Sequence, residues 1–327
     1  MGTLYIDRRG TRLEFDRGAM VVREPDATPR SVPLSLVERL VVVGDVQLSA
    51  RLLTRLAENG SGVTILPGRG GRRGTFLNAH GHGDVGRRIG QYRLVTNVAL
   101  KTEWARRLVW LRLAGQRRLL NAAMRTRPDL RHPLGGALSD LHMAMAGIRS
   151  QGVAASGLRG REGAATATFF RGYRTLFPAS LCFEQRNRRP PRDPVNAALS
   201  LAYTLVHGDA LKAVSANGLE PTLGVLHEPF YGRDSLACDL AEVARTRAER
   251  LVWRLFAERE LSEHNFASSQ SGVLLAKSGR EAFFRAYEGG ARLHRRWLFR
   301  IARHFARACQ DLSDIPGAAA GGNDAPR

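Results

Sequence analysis

Lysine is almost missing from this 327-residue chain: of 50 basic residues only Lys101, Lys212 and Lys277 are lysine. Acid is short too, with 30 Asp and Glu, which leaves a formal net charge of +20. A preference for arginine over lysine reflects genome composition by itself, but it does not explain the excess of base over acid. That excess points to a polyanion, because the planar guanidinium matches phosphate geometry. Nucleic acid is the preferred partner, ahead of an acidic membrane surface or an acidic protein. Cysteine is equally scarce. Cys182, Cys238 and Cys309 are odd in number and form no close pair, which argues against a disulfide framework and a zinc cluster. Each sits in an apolar segment, so buried, reduced thiols are expected. No apolar run reaches the roughly 20 residues of a membrane span, and no cationic segment leads into an apolar run near residue 1. A soluble, cytoplasmic protein without membrane partners is expected.

What is present is a globular composition, 43% hydrophobic, in a chain long enough for two domains. Residues 1–85 read as a small β-rich domain. Short apolar runs (Leu4 to Ile6, Leu13 to Phe15, Met20 to Val22) are separated by Arg/Gly and Asp/Gly turn signals, and Leu40 to Val43 and Val63 to Leu66 are further strands. Leu48, Leu52, Leu53 and Leu56 have helical spacing. The Gly-, Arg- and His-rich stretch 67–93 reads as a loop, with a linker at 86–93. His80 and His82, flanked by glycines, are solvated loop residues rather than metal ligands.

From residue 94 to 312 the period is helical. Leu100, Trp104, Leu108 and Leu111 form one stripe, with Arg106, Arg107, Arg112, Arg117 and Arg118 mostly off it. Trp104 and Trp110 could stack on bases, although tryptophan at this spacing is usually core. The fold class expected is α+β, a β-rich N-terminal domain followed by a larger all-α catalytic domain, with residues 313–327 a disordered tail.

Two features suggest chemistry. Glu162 lies in the apolar stripe of a helix near Leu158 to Phe177, and a buried carboxylate must be paired, metal-bound or protonated. Pairing with Arg159, Arg161 or a distant arginine is the simple explanation. His227 precedes a helix carrying Asp239 and Glu242, 12 and 15 residues on. Those two carboxylates lie nearly above one another and repel unless a cation intervenes or one is protonated. A metal would resolve the repulsion, and so would Arg245 or Arg247. Spacing leaves both open. Asp193, before Pro194, is placed as the N-cap of another helix.

Several stretches together resemble the CRISPR-associated spacer-acquisition integrase and endonuclease family. They are Glu162-Gly163 with Phe169-Phe170, then NRRPPRDPVNAALSLAYTLV from Asn187, GLEPTLGVLHEP from Gly218 and SLACDLAEVAR from Ser235. SGVLLAKSGREAFFRAYE from Ser271 is a weaker echo. The resemblance implies a catalytic set of Glu162, His227, Asp239 and Glu242. Of these, Glu162, His227 and Glu242 would be the metal ligands and Asp239 the accompanying acid. Arg245 matches a basic position of the family. Thr166-Ala167-Thr168 and Val243-Ala244 depart from its pattern, which touches substrate contacts more than the metal.

The implied activity is insertion of short DNA spacers into a CRISPR array, a 3′-hydroxyl attacking a phosphodiester, with water giving hydrolysis instead. The donor set suits Mg²⁺ or Mn²⁺. Implied partners are double-stranded DNA (spacer duplex and repeat target), a second copy of the chain, with the β-rich domain as the dimerisation element, and a small second acquisition protein. Arg188, Arg189, Arg245 and Lys277 are the candidate DNA contacts. A basic nucleic-acid-binding protein without a metal centre is the alternative. A small-molecule metallohydrolase leaves the charge unexplained.

Overall fold

The computed structural model describes residues 2–66, 74–77, 83–149, 155–187, 190–269 and 272–314. The chain divides into two compact units, Met1–Gly81 and His82–Arg327. The fold is of the α+β class expected, strands first and helices after.

In the first unit, β1 (Gly2–Ile6), β5 (Val37–Val43) and β7 (Gly62–Leu66) run parallel, with β8 (Thr75–Leu77) antiparallel at the edge. The apolar run Leu40 to Val42 is buried because β5 lies inside this sheet and is covered on both faces. A second sheet has the order β4 (Arg30–Pro33), β3 (Ala19–Arg23), β2 (Arg12–Asp16), β6 (Gln47–Leu48). Its β2–β3 hairpin turns at Arg17 and Gly18, both at positive φ (43° and 81°), the tight turn whose twist suits a hairpin. Leu48 ends β6 rather than joining the helix. Ser49 then caps α1 (Ala50–Glu58), its side chain accepting from the Leu52 N–H at 3.2 Å. Leu13, Met20, Leu40, Leu52 and Leu56 meet in one core.

The second unit contains α2 (Val85–Thr96), α3 (Val98–Thr126), α4 (Arg131–Arg149), α5 (Ala155–Arg174), α6 (Pro194–Ala216), α7 (Ser235–Ala257) and α8 (Lys277–Gln310). A hairpin, β9 (Phe266–Ser269) with β10 (Gly272–Leu275), interrupts the helices. The central α3 packs on α4, α5 and α7, while α8 packs on α2, α6 and α7.

The linker expected at 86–93 is the middle of α2. Its glycines serve close packing rather than mobility: a Cβ on Gly90 would stand 1.7 Å from the Cys309 carbonyl oxygen of α8. Arg93 fastens the same side of α2, donating to the Leu312 carbonyl at 2.8 Å and pairing with Asp314 at 2.5 Å. Of the expected tail, residues 315–327 lie outside the described residues, as do His80 and His82.

All three cysteines are free, as expected, but only one of them is buried. Cys309 is buried, and burial pushes its thiol up to about 12. Cys238 is half-buried, and Cys182 is exposed at a left-handed position (φ 51°). Trp104 is core, edge-on to Phe305. Among the described residues no helix is long and apolar enough to cross a membrane.

Candidate metal and DNA-joining site

Asp239 lies on α7 with its side chain fully buried. Its two oxygens gather the turn that carries His227. Oδ2 accepts the N–H groups of Val225 (2.6 Å) and Leu226 (3.0 Å), and Oδ1 accepts the His227 N–H (2.9 Å). Oδ1 also meets the ring Nδ1 of His227 at 2.6 Å. The turn closes this tightly because residue 224 is glycine: a Cβ there would stand 2.8 Å from Asp239 Oδ2 and 2.7 Å from the His227 carbonyl. An acceptor-only carboxylate requires Nδ1 to carry the proton. In the neutral ring the lone pair is then on Nε2, which has no partner among the described residues. A buried carboxylate fixing the tautomer of a histidine that is 32% exposed is the arrangement that orients metal-binding imidazoles. The Asp239 hydrogen bond raises the pKa of His227 against the effect of burial; the charge of Glu242 adds to the rise and Arg245 opposes it.

Glu242, one turn further along α7, is paired with Arg245 and lies 3.9 Å from the Nε of Arg112. The repulsion expected between Asp239 and Glu242 is therefore met by separate partners, backbone N–H groups for one and guanidinium for the other. Arg247 takes neither role and lies over the Trp297 ring. Arg245 also stacks on Tyr203 at 4.8 Å.

Glu162 on α5 is half-buried, and its Oε1 accepts from the Thr166 hydroxyl at 2.8 Å. Gln116 of α3 in turn donates to Thr166 at 3.2 Å. Among the described residues no arginine pairs with Glu162: Arg161 donates instead to the Gly147 carbonyl at 2.5 Å.

Beneath these residues lies a buried charge network absent from the sequence expectations. Arg112, expected mostly off the apolar face of α3, is 2% exposed and pairs with the fully buried Glu249 of α7 at 2.8 Å. Tyr203 of α6 donates to the same Glu249 oxygen at 2.7 Å, and Tyr173 of α5 donates to the Glu249 carbonyl at 2.6 Å. Burial opposes the charge on Arg112, but Glu249 and Glu242 outweigh it and raise its pKa. Burial and the Glu249 charge push both phenols up, so they stay protonated donors. The signal was available. Arg112 stands four residues after Leu108, the same spacing test that singled out Glu162. Gly115, one turn on, lets α3 approach α7, since a Cβ would come within 2.7 Å of the Thr246 hydroxyl. Through Gln116 and Arg112, one turn apart on the same face, α3 positions the helix of Glu162 and the helix of Glu242.

The structure thus brings Asp239 and His227 together and sets Glu242 within electrostatic reach of His227. Among the described residues, no three His, Cys, Asp or Glu side chains form a ligand group for one metal ion, and no hydrogen bond joins Glu162 to His227 or Glu242. By donor chemistry, two carboxylates and an imidazole with fixed tautomer fit a hard divalent ion. Lys277 opens α8, exposed and without a partner among the described residues. Arg188 and Arg189 lie outside the described residues. Asp193, as expected, caps α6, accepting the Asn196 N–H at 2.8 Å.

Comparison with known proteins gives concordant likenesses. The model of the family described as CRISPR associated protein Cas1 matches residues 4–289. A CRISPR-associated endonuclease Cas1 from Thermodesulfovibrio yellowstonii is 34% identical over 318 residues, covering 96% of this chain and 99% of the relative. Among solved structures, a casposase bound to integration product superposes with TM-score 0.83 at 16% identity, over 96% of this chain and 92% of that one. A Cas6-RT-Cas1–Cas2 complex gives TM-score 0.79 at 21% identity, over 95% of this chain and 35% of that one.

Proposed function

The chain belongs to the CRISPR-associated protein Cas1 family, and from that premise we propose that it is a metal-dependent DNA integrase and endonuclease that inserts spacers into a CRISPR array. The observation that carries the assignment to particular residues is the Asp239–His227 unit, a buried carboxylate presenting Nε2 of a half-exposed imidazole. Asp239 is a positioning residue in this reading: it holds the turn and the tautomer and is not itself a ligand. Glu162, His227 and Glu242 would hold one divalent ion, Mg²⁺ or Mn²⁺. When bound, the ion supplies Lewis acidity toward a phosphoryl oxygen and helps orient the attacking hydroxyl. Around it the protein holds the donors still. Thr166 fixes the rotamer of Glu162, Arg112 and Arg245 balance the charge of Glu242, and Tyr203 braces Arg245 from below. The attacking group is the 3′-hydroxyl of a DNA end, so no covalent protein nucleophile is required.

The partners proposed are duplex DNA, a second copy of the chain through the β-rich unit, and a small second acquisition protein of the Cas2 kind. The last rests on the named Cas1–Cas2 complex among the structural neighbours, and all of them belong in the cytoplasm. The decisive experiment is strand transfer of a short duplex into a repeat-containing plasmid with Mn²⁺ and with chelator. Product with Mn²⁺ and none with chelator is expected; equal product in both overturns the metal mechanism. A basic binding protein without a metal centre would yield no product in either.

A further inference from the structure

Between Gly289 and Gln310 the chain has six arginines and no acidic residue. All of this segment lies in α8. Arg295 turns inward, joining Asp209 at 2.9 Å and Glu288 at 2.8 Å. The other five, Arg292, Arg296, Arg300, Arg303 and Arg307, are exposed, and none has an ion pair or hydrogen bond among the described residues. Their steps of four, four, three and four place them within an arc of about 80° at about 100° per residue, in a row about 22 Å long. Ala291, His294, Leu298, Ala302, Phe305 and Cys309, the buried side of α8, lie on the opposite side.

A solvated helix face in this protein looks different. Arg106 and Arg107 share Glu103, Arg254 pairs with Glu258, and Arg285 pairs with Glu281. Mixed signs are what an exposed helix gains from. The row on α8 stacks like charge on like charge at i,i+3 and i,i+4, each step unfavourable in the isolated helix. The helix dipole offsets this only near the C-terminus, at Arg307. Such a row is stabilised by a polyanion of matching length. A duplex rises about 3.4 Å per phosphate along one strand, so the row spans about six phosphates.

We propose that the outer face of α8 is a sequence-independent track for the backbone of duplex DNA, formed by residues that take no part in the candidate metal site. The proposal rests on the reading of the protein as a DNA-joining enzyme. Phosphate contact by flexible guanidinium groups sets register and adds affinity without reading sequence.

The test is binding of a 30-base-pair duplex across a salt series, followed by fluorescence anisotropy, with strand transfer measured on the same preparations. The variant carries Arg292→Gln, Arg296→Gln, Arg300→Gln, Arg303→Gln and Arg307→Gln. The control carries Arg127→Gln, Arg254→Gln and Arg285→Gln, arginines already paired with acids. The slope of log affinity against log salt should fall by about 0.9 per arginine lost from the track, about 4.5 in all. In the control it should barely move. Joining at saturating DNA should persist, and the thermal midpoint should hold or rise as repulsion is relieved. An unchanged slope in the variant overturns the track while leaving the proposed function standing. An unchanged slope with lost assembly on the second acquisition protein assigns the row to a protein surface and overturns it equally. A parent protein that neither binds nor joins duplexes overturns the function itself.

Discussion

Asp239 with His227 and Asp209 with His294 are chemically the same pair, each at 2.6 Å and each with a fully buried carboxylate. Their surroundings separate them. The oxygens of Asp239 are filled by three backbone N–H groups and Nδ1, so the ring stands 32% exposed with Nε2 outward. Asp209 faces other side chains: Tyr287 at 2.7 Å, Nε2 of His294 and Arg295 at 2.9 Å, with His294 only 7% exposed. Burial lowers the pKa of Arg295 less than Glu288 and Asp209 raise it, so its charge persists inside the cluster. One pair leaves an imidazole nitrogen facing outward; the other ties α6 to α8. A carboxylate–histidine contact is therefore no mark of a site until the second ring nitrogen is traced.

The sharpest break between them is expected from the histidines and their neighbours. Glu162→Ala, His227→Ala and Glu242→Ala should each reduce strand transfer by about 10³-fold, the several kcal/mol a catalytic metal supplies, while duplex binding survives; a plasmid-joining assay beside anisotropy reads both. Next in size, Asp209→Ala should cost about 3–5 kcal/mol in urea unfolding, because Arg295 loses a buried partner. Its strand transfer per folded molecule should match the parent. Asp239→Asn is predicted to weaken metal dependence 10- to 100-fold, the usual effect of losing an orienting partner. Titrating Mn²⁺ against strand transfer would show a shifted midpoint rather than a uniformly lower plateau.

The smallest effect concerns His207 of α6. Burial lowers its pKa, but hydrogen bonds to Asp234, 3.5 Å away at the start of α7, and to Cys238 raise it to about 9. A histidine whose folded pKa lies above its unfolded value of about 6.5 contributes its full stability below pH 6.5 and loses it as pH rises through about 9. His207→Gln should accordingly cost on the order of 1–2 kcal/mol at pH 6 and little at pH 10. Urea midpoints at the two pH values would measure it, and an equal cost at both would remove the ion pair from the account.

Much of this was legible along the chain. Strand runs in the first 66 residues, the Asp193 cap and the ordered motifs around Glu162, His227 and Glu242 depend on local spacing and residue type, and the structure forms the corresponding elements. Legibility failed where glycine was read as slack. At Gly86 and Gly90 the missing Cβ admits another helix, 219 residues away in the Arg93–Leu312 contact. It failed again at Arg112, whose partner Glu249 lies 137 residues on. A buried charge is recognisable locally, but its neutralising partner is not.

Sequence alone determined the kind of protein: an arginine-rich chain of two units whose ordered motifs place it in its family and name candidate donors. The family resemblance already set Glu242 apart from Asp239, but only the tertiary structure supplied a physical difference between them. On α7 they are one turn apart and equivalent by period. The turn closed at Gly224 delivers three N–H groups and a ring nitrogen to one of them, while α3 delivers Arg112 toward the other. The different surroundings of the two carboxylates are set by partners arriving from other parts of the fold, and no local pattern encodes that arrival.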